Sequence, residues 1–409
     1  MPISRSIPGG VSQLIALAVS LLGLGCSEPR VLVVGLDGAN WTVLDPLIDA
    51  GHLPNIGPLV RNGAAGHLLC APADPASACF CPPVWTSIAT GVPLSDHRIP
   101  HFYTPSTQRR AEAIWNLAAD RGATVTTVSW RGTWPPEPDV EFVLTEPGLD
   151  VASEQLFEAW PVKTGHPGRN HPLTHFQPPD LLQLLGVLPH EEARPPSWSI
   201  YARDRAAMRA TLELARRQTE LELESEYWEQ PPELTMILIH GPDKVSHLTW
   251  NFYQEKMYQP FDPTRLLADA ENWDGPPLRP APFGWGSVAD TYIEADEWLG
   301  ELLETRHYDY VVFVSDHGMT RNPNVQGLNG HHDRAATEAH RGIFAIHGPG
   351  VEPGGWLGDV SVLDVAPTLA YLLHIPIAQD LPGRVLSEAF EFEWQLLQPA
   401  DANTIPSWD

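Results

Sequence analysis

Five largely apolar runs are spaced along the chain. They are Arg30-Val31-Leu32-Val33-Val34-Gly35-Leu36, Ala123-Thr124-Val125-Thr126-Thr127-Val128, Leu234-Thr235-Met236-Ile237-Leu238-Ile239, Tyr310-Val311-Val312-Phe313-Val314 and Ile343-Phe344-Ala345-Ile346. Such runs predict strands covered on both faces, as in a parallel sheet. Helical spacing of apolar positions predicts helices over 43–50, 55–62, 110–121, 200–224, 288–305 and 364–374. Strands alternating with helices predict an α/β fold, a doubly wound and mostly parallel sheet flanked by helices. In such sheets ligands bind beyond the carboxyl ends of the strands. Polar residues placed directly after the apolar runs are therefore the first candidates for chemistry.

The pattern weakens over 131–199 and 257–287, which are rich in Pro and Trp, the first also in His. Both are expected to be loop insertions over the rim of one domain spanning 29–395. The tail, 396–409, is expected to be flexible. Residues 1–26 read differently. Arg5 precedes the apolar run Leu14-Ile15-Ala16-Leu17-Ala18-Val19-Ser20-Leu21-Leu22, and small residues lead to Cys26. That is the shape of a secretion signal, too short to span a bilayer comfortably. Gly23-Leu24-Gly25-Cys26 resembles the bacterial lipoprotein cleavage site, with Gly23 where Leu is usual. The expectation is an exported cell-envelope or periplasmic lipoprotein, lipidated at Cys26 and touching membrane only through that anchor.

Charge narrows the partners. The formal net charge is −26, which argues against nucleic acid as a specific partner and against docking on an anionic membrane. An anionic substrate would need a local positive spot, and metal ions supply one. Of four cysteines, Cys26 goes to the leader. An exported protein meets oxidising conditions, so a Cys70–Cys79 disulfide is expected, leaving Cys81.

Candidate ligands follow the strands. Asp37-Gly38 closes the first run, and Asp316-His317-Gly318 the fourth. Pro242-Asp243-Lys244-Val245-Ser246-His247 follows the third; its Asp243 and His247, four apart, share one face of a helical turn. A charged pair at the mouth of an apolar strand would be costly if simply buried. His331, His332 and His340 are candidates for a last ligand, with His340 suited by its place before a strand. Taken together these residues can hold two ions, a standard device for displacement at phosphorus.

These residues carry a resemblance. The chain resembles the alkaline phosphatase superfamily, in its type I phosphodiesterase/nucleotide pyrophosphatase-like branch, and is most similar there to predicted phosphohydrolases or phosphomutases. The matching stretches include Val33-Val34-Gly35-Leu36-Asp37-Gly38, Pro82-Pro83-Val84-Trp85-Thr86-Ser87-Ile88-Ala89-Thr90-Gly91, Pro242-Asp243-Lys244-Val245-Ser246-His247, Ser315-Asp316-His317-Gly318-Met319, His340-Arg341-Gly342 and Asp364-Val365-Ala366-Pro367-Thr368. The resemblance implies two Zn²⁺ ions, one on Asp243, His247 and His340, the other on Asp37, Asp316, His317 and the nucleophile. Mn²⁺ also suits Asp/His ligands. It implies hydrolysis of a small phosphate ester, a diester or monoester. Lys244 is a candidate for charge near the phosphate, and His331 and His332 for the substrate border.

At the nucleophile position relatives carry Thr or Ser, six residues before the Ser of the Ser-Ile-Ala-Thr-Gly motif. That position is Cys81 here. Three readings stay open. A thiol beside zinc ionises readily and attacks phosphorus. Alternatively the site has lost catalysis, leaving a zinc-binding surface lipoprotein. The third is sulfatase-type chemistry on a Cys converted to formylglycine; the Cys-Xaa-Pro-Xaa-Arg signature reads Cys81-Pro82-Pro83-Val84-Trp85 here and lacks the Arg.

Overall fold

The computed structural model describes residues 29–70, 79–102, 104–145, 176–177, 198–224, 233–250, 288–321, 330–331 and 337–408. The first apolar run forms β1 (Arg30–Leu36), followed by helices α1 (Trp41–Asp49) and α2 (Ile56–Arg61). Then come β2 (Ala64–Leu69), α3 (Cys81–Thr90), α4 (Ile114–Ala119), β3 (Thr124–Val128), β4 (Phe142–Leu144) and β5 (Phe176–Gln177). The long α5 (Trp198–Glu224) leads to β6 (Glu233–Ile239) and α6 (Gly241–Thr249). After α7 (Val288–Thr305) and β7 (Tyr310–Val314) come the short strands β8 (Thr320–Arg321) and β9 (Gly330–His331). The chain closes through β10 (Arg341–His347), β11 (Gly355–Ser361), α8 (Val365–Leu372), β12 (Ile377–Ala378), α9 (Phe392–Leu397) and β13 (Thr404–Ile405).

Nine strands form one sheet in the order β11-β2-β10-β7-β1-β6-β3-β4-β5. Its centre is parallel: β7, β1, β6 and β3 all run the same way. Strand β10 runs against both its neighbours, β2 and β7. Alternation along each strand feeds two cores. From β1, Val31 and Val33 face one side, packed with Trp85 of α3 and Trp115 of α4. Leu32, Val34 and Leu36 face the other, packed with α1, α5 and α7. Both tryptophans are fully buried, and truncating either to alanine would cost about 3–5 kcal/mol.

The five predicted strands and the mostly parallel α/β sheet are all present. Three features differ from expectation. The region expected to be an insertion from 131 contributes β4 to the main sheet, parallel to β3; 257–287 lies outside the described residues, as do the leader and Cys26. The expected flexible tail is tied down, because Thr404 and Ile405 pair with β12. Beyond them the Trp408 indole donates to the carbonyl of Pro376 (2.7 Å). The helix expected over 110–121 is confined to Ile114–Ala119. Among the described residues, no helix is long and apolar enough to cross a membrane.

Candidate metal centre

The carboxyl ends of β1, β6 and β7 lie side by side, and the turns that follow them carry the candidate ligands. Asp37 follows β1, its amide donating to Ile239 of β6 (2.9 Å). Gly38 next turns at φ +70°, and a Cβ there would stand 2.9 Å from both Cα and Cβ of Asp243. Glycine therefore lets this turn close on α6. Asp204 of α5 accepts the amides of His240 (3.0 Å) and Gly241 (2.5 Å), capping α6 and fixing Asp243 in its first turn. Ser315 accepts the Ala39 amide (2.9 Å) and donates to the His317 carbonyl (2.7 Å), joining the turns after β1 and β7.

These constraints bring Asp37, Cys81, Asp316 and His317 together. All four are buried, and one ligand atom from each lies within 4.8 Å of the others. His317 Nδ1 donates to the Gly318 carbonyl (2.9 Å). That bond fixes the tautomer and leaves the Nε2 lone pair facing inward. Around Nε2 stand Cys81 Sγ at 3.4 Å, Asp316 Oδ2 at 3.5 Å, Asp37 Oδ1 at 3.7 Å and Asp243 Oδ1 at 3.9 Å. Those three carboxylate oxygens are buried without a hydrogen-bond partner.

The electrostatics describe a site that lacks only positive charge. Burial raises the pKa of Asp316 well above the usual range, and the charges of Asp37 and Asp243 raise it further. Burial likewise raises the Cys81 thiol, followed by Asp37, Asp316 and Asp243. For Asp37 burial also opposes ionisation, but the hydrogen bond from His240, with His317 and Arg131, outweighs it and holds the group ionised. His240 itself is kept neutral by burial and by the cations of Arg131 and Lys244. A divalent cation would give each orphaned oxygen a partner and relieve the crowding of like charge. The residues therefore fit a metal, and an O, N and S donor set suits zinc.

Other predicted residues sit around this group. His247 Nε2 is 3.2 Å from Asp243 Oδ1, so the i,i+4 pair faces one way off α6. His340 ends a 3₁₀ turn before β10, at the same end of the sheet, with Nε2 buried and without a hydrogen-bond partner. Among the described residues, Asp243, His247 and His340 do not close into a second group as tight as the first. Lys244 is half-buried on α6. His331 pairs with Thr320 where β8 and β9 run antiparallel, and β9 packs beside α6; His332 lies outside the described residues. Cys70 and Cys79 form the expected disulfide, and Cys81 is a buried free thiol at the first turn of α3. Sequence reasoning missed His240, Ser129, Arg131 and Asp204. The signal for His240 was available, since it follows an apolar strand just as Asp37 does.

A family model described as type I phosphodiesterase / nucleotide pyrophosphatase matches residues 31–364. The chain belongs to that family. It is thus a phosphoric ester hydrolase of the alkaline phosphatase superfamily, and the family is metal-dependent. A Bacteroides thetaiotaomicron protein from a core genetic locus for glycosaminoglycan metabolism is 14% identical, with a TM-score of 0.51, covering 89% of this chain and 77% of that one. A 2-O glycosaminoglycan sulfatase is 12% identical at a TM-score of 0.50, covering 89% and 74%. At such identities these two likenesses establish the fold alone. Murine ectonucleotide pyrophosphatase/phosphodiesterase 5, in an inactive form with AMP, is 14% identical, with a TM-score of 0.46, covering 89% and 100%. No curated protein matches the chain in sequence.

Proposed function

We propose that this family member hydrolyses small phosphate esters with two zinc ions and a Cys81 nucleophile. The observation that carries the reading is Cys81 Sγ standing 3.4 Å from His317 Nε2, inside a buried ring of carboxylates. Asp37, Asp316, His317 and Cys81 would hold one ion; Asp243, His247 and His340 would hold the other. When bound, the ions supply Lewis-acid stabilisation of the phosphoryl oxygens and lower the thiol pKa. Zinc is favoured over Mn²⁺ by the sulfur in the donor set.

The chain's own residues then have defined parts. The Cys81 sulfur attacks phosphorus, a P–S bond forms and the P–O bond to the leaving group breaks. Water then displaces sulfur, releasing phosphate or its monoester and restoring Cys81. The amino end of α3 adds its partial positive charge at the attacking sulfur. Lys244, on the turn that carries Asp243, contributes positive charge toward an anionic ester. The disulfide supports this role for Cys81, since Cys79 is already paired with Cys70.

The test is zinc content of the purified protein together with turnover of aryl phosphate monoesters, diesters and sulfate esters, with and without chelator. Zinc-dependent phosphate ester hydrolysis that Cys81→Ala, which leaves no nucleophile at the position, cuts by at least about a hundredfold is expected. Zinc binding without turnover, with activity gained in Cys81→Thr, would show a disarmed site. Sulfate ester turnover with a modified Cys81 in the mass spectrum would show the sulfatase reading.

The leader supports export and lipidation at Cys26. β1 begins at Arg30 and Asp37 follows its far end, roughly 23 Å on, so the candidate ligand lies at the end of the strand away from the leader. Release of the Cys26→Ser protein into the soluble fraction is expected; retention there of the wild type would refute the anchor.

A further inference from the structure

The row of polar residues at the strand ends continues past the metal ligands. Strands β7, β1, β6 and β3 are consecutive neighbours, and just beyond them stand Asp316, Asp37, His240 and Ser129. His240 Nδ1 is 2.9 Å from Asp37 Oδ2, and its Nε2 is 3.0 Å from Ser129 Oγ. All three residues are at most 1% exposed. An ionised carboxylate only accepts, so Nδ1 carries the proton and Nε2 accepts from the Ser129 hydroxyl. This chain of two bonds occupies the outer oxygen of Asp37. The inner oxygen, Oδ1, faces His317 Nε2 at 3.7 Å and has no hydrogen-bond partner.

The backbone supports the same conclusion. Ser129 sits at φ +61°, a left-handed conformation that is strained for any residue but glycine. Its hydroxyl is aimed at His240 from that turn. Two residues on, Arg131 places a terminal nitrogen 3.2 Å from His240 Nδ1 and 3.7 Å from Asp37 Oδ2. Since Nδ1 donates to Asp37, the guanidinium acts there through charge rather than through a hydrogen bond to the ring. Its plane also lies over the Phe102 ring, 4.6 Å from the centroid.

We propose that Ser129 and His240 are positioning residues that make Asp37 a one-oxygen metal ligand, with Arg131 offsetting the charge on the outer oxygen. The strained serine is retained because its hydroxyl locks the His240 tautomer. This rests on the reading of Asp37 as a ligand. Partners of this kind change metal affinity about ten- to a hundredfold when removed.

The test uses the full-length protein and measures zinc affinity by chelator competition, alongside melting of the metal-free form. Ser129→Gly removes the hydroxyl in a conformation glycine accepts. It should melt no lower than wild type when metal-free, yet bind zinc about tenfold more weakly. His240→Ala should lose about ten- to a hundredfold. His240→Asn, whose amide can still donate to Asp37, should recover most of that loss. Wild-type zinc affinity in Ser129→Gly, or equal losses in His240→Ala and His240→Asn, would overturn the positioning role while leaving the metal site intact. Failure of the wild type to bind zinc at all would instead overturn the ligand reading and this inference with it.

Discussion

At the amino end of β6, Glu233 is buried and completely matched. Arg306 Nε donates to its Oε2 (2.7 Å), the Arg306 terminal nitrogen adds a second contact at 2.5 Å, and the Thr235 hydroxyl donates to Oε1 (2.9 Å). At the carboxyl ends of β1 and β7, Asp37 and Asp316 are just as buried, yet each keeps an oxygen without a partner, and they face another carboxylate and a thiol. The same sheet thus buries charge in two ways. One end is closed as an ion pair and serves the fold. The other is left open for a cation and detracts from the fold until one arrives.

The largest expected effect breaks the open end. Asp316→Asn removes a proposed ligand and should lower phosphate ester turnover by more than about 10³-fold, beyond the loss of a single oxyanion donor elsewhere. Stability should move the other way. The folded-state pKa of Asp316 is raised, so its charged form destabilises the metal-free protein at neutral pH. Urea unfolding in chelator should therefore show Asp316→Asn above wild type. A metal-free variant less stable than wild type would mean that this end is not charge-crowded.

Breaking the closed end should give the opposite pattern. Arg306→Met leaves Glu233 buried and unpaired, at about 3–5 kcal/mol. Replacing both partners with apolar residues should restore most of that. kcat/KM of the folded fraction should stay within about twofold, because no ligand is touched. A large catalytic loss at full stability would show that the two ends are coupled.

His97 lies behind the site and gives a pH signature. Its Nδ1 accepts the Ile99 amide (3.1 Å), and its Nε2 is 3.1 Å from the Ser87 hydroxyl of α3, the helix that begins at Cys81. Burial lowers its pKa from 6.5 to about 4. In that window the unfolded chain takes the proton first. The contribution is therefore complete above pH 6.5 and lost as pH falls towards 4. The loss amounts to about 3 kcal/mol. Stability measured from pH 7 to 4 should fall less steeply in His97→Gln; an identical slope would place the acid sensitivity elsewhere.

The matched end was less legible in the sequence than the open one, for a physical reason. Asp37, Asp243 and Asp316-His317 follow apolar strands, so strand-end logic found them without a structure. Glu233 and Arg306 sit 73 residues apart, and nothing local links them. Periodicity alone did not mark helix α3, which carries Pro82 and Pro83; both fall in its first turn, where proline is tolerated. Gly91 at φ +71° ends that helix, a stop signal that was readable. Strand β2 is Ala-Ala-Gly-His-Leu-Leu, too poor in β-branched residues to stand out from helix or loop. His240 was readable by the rule that found Asp37, but its role needed the register of β6 beside β1.

The smallest effect separates matched from unmatched hydroxyls within one pair of strands. Thr235 on β6 and Thr127 on β3 are both buried, and the strands are neighbours. Thr235 donates to the Glu233 carboxylate, so Thr235→Val removes a bond to charge and should cost about 1.5–3 kcal/mol. The Thr127 hydroxyl meets no partner among the described residues. Thr127→Val replaces it with a methyl of the same shape, and should be neutral or stabilising by up to about 1 kcal/mol. Denaturant midpoints of the two variants should therefore move in opposite directions or differ several-fold. Equal destabilisation would mean that Thr127 is as well matched as Thr235, and that unmet polar groups are not concentrated towards the metal-binding end.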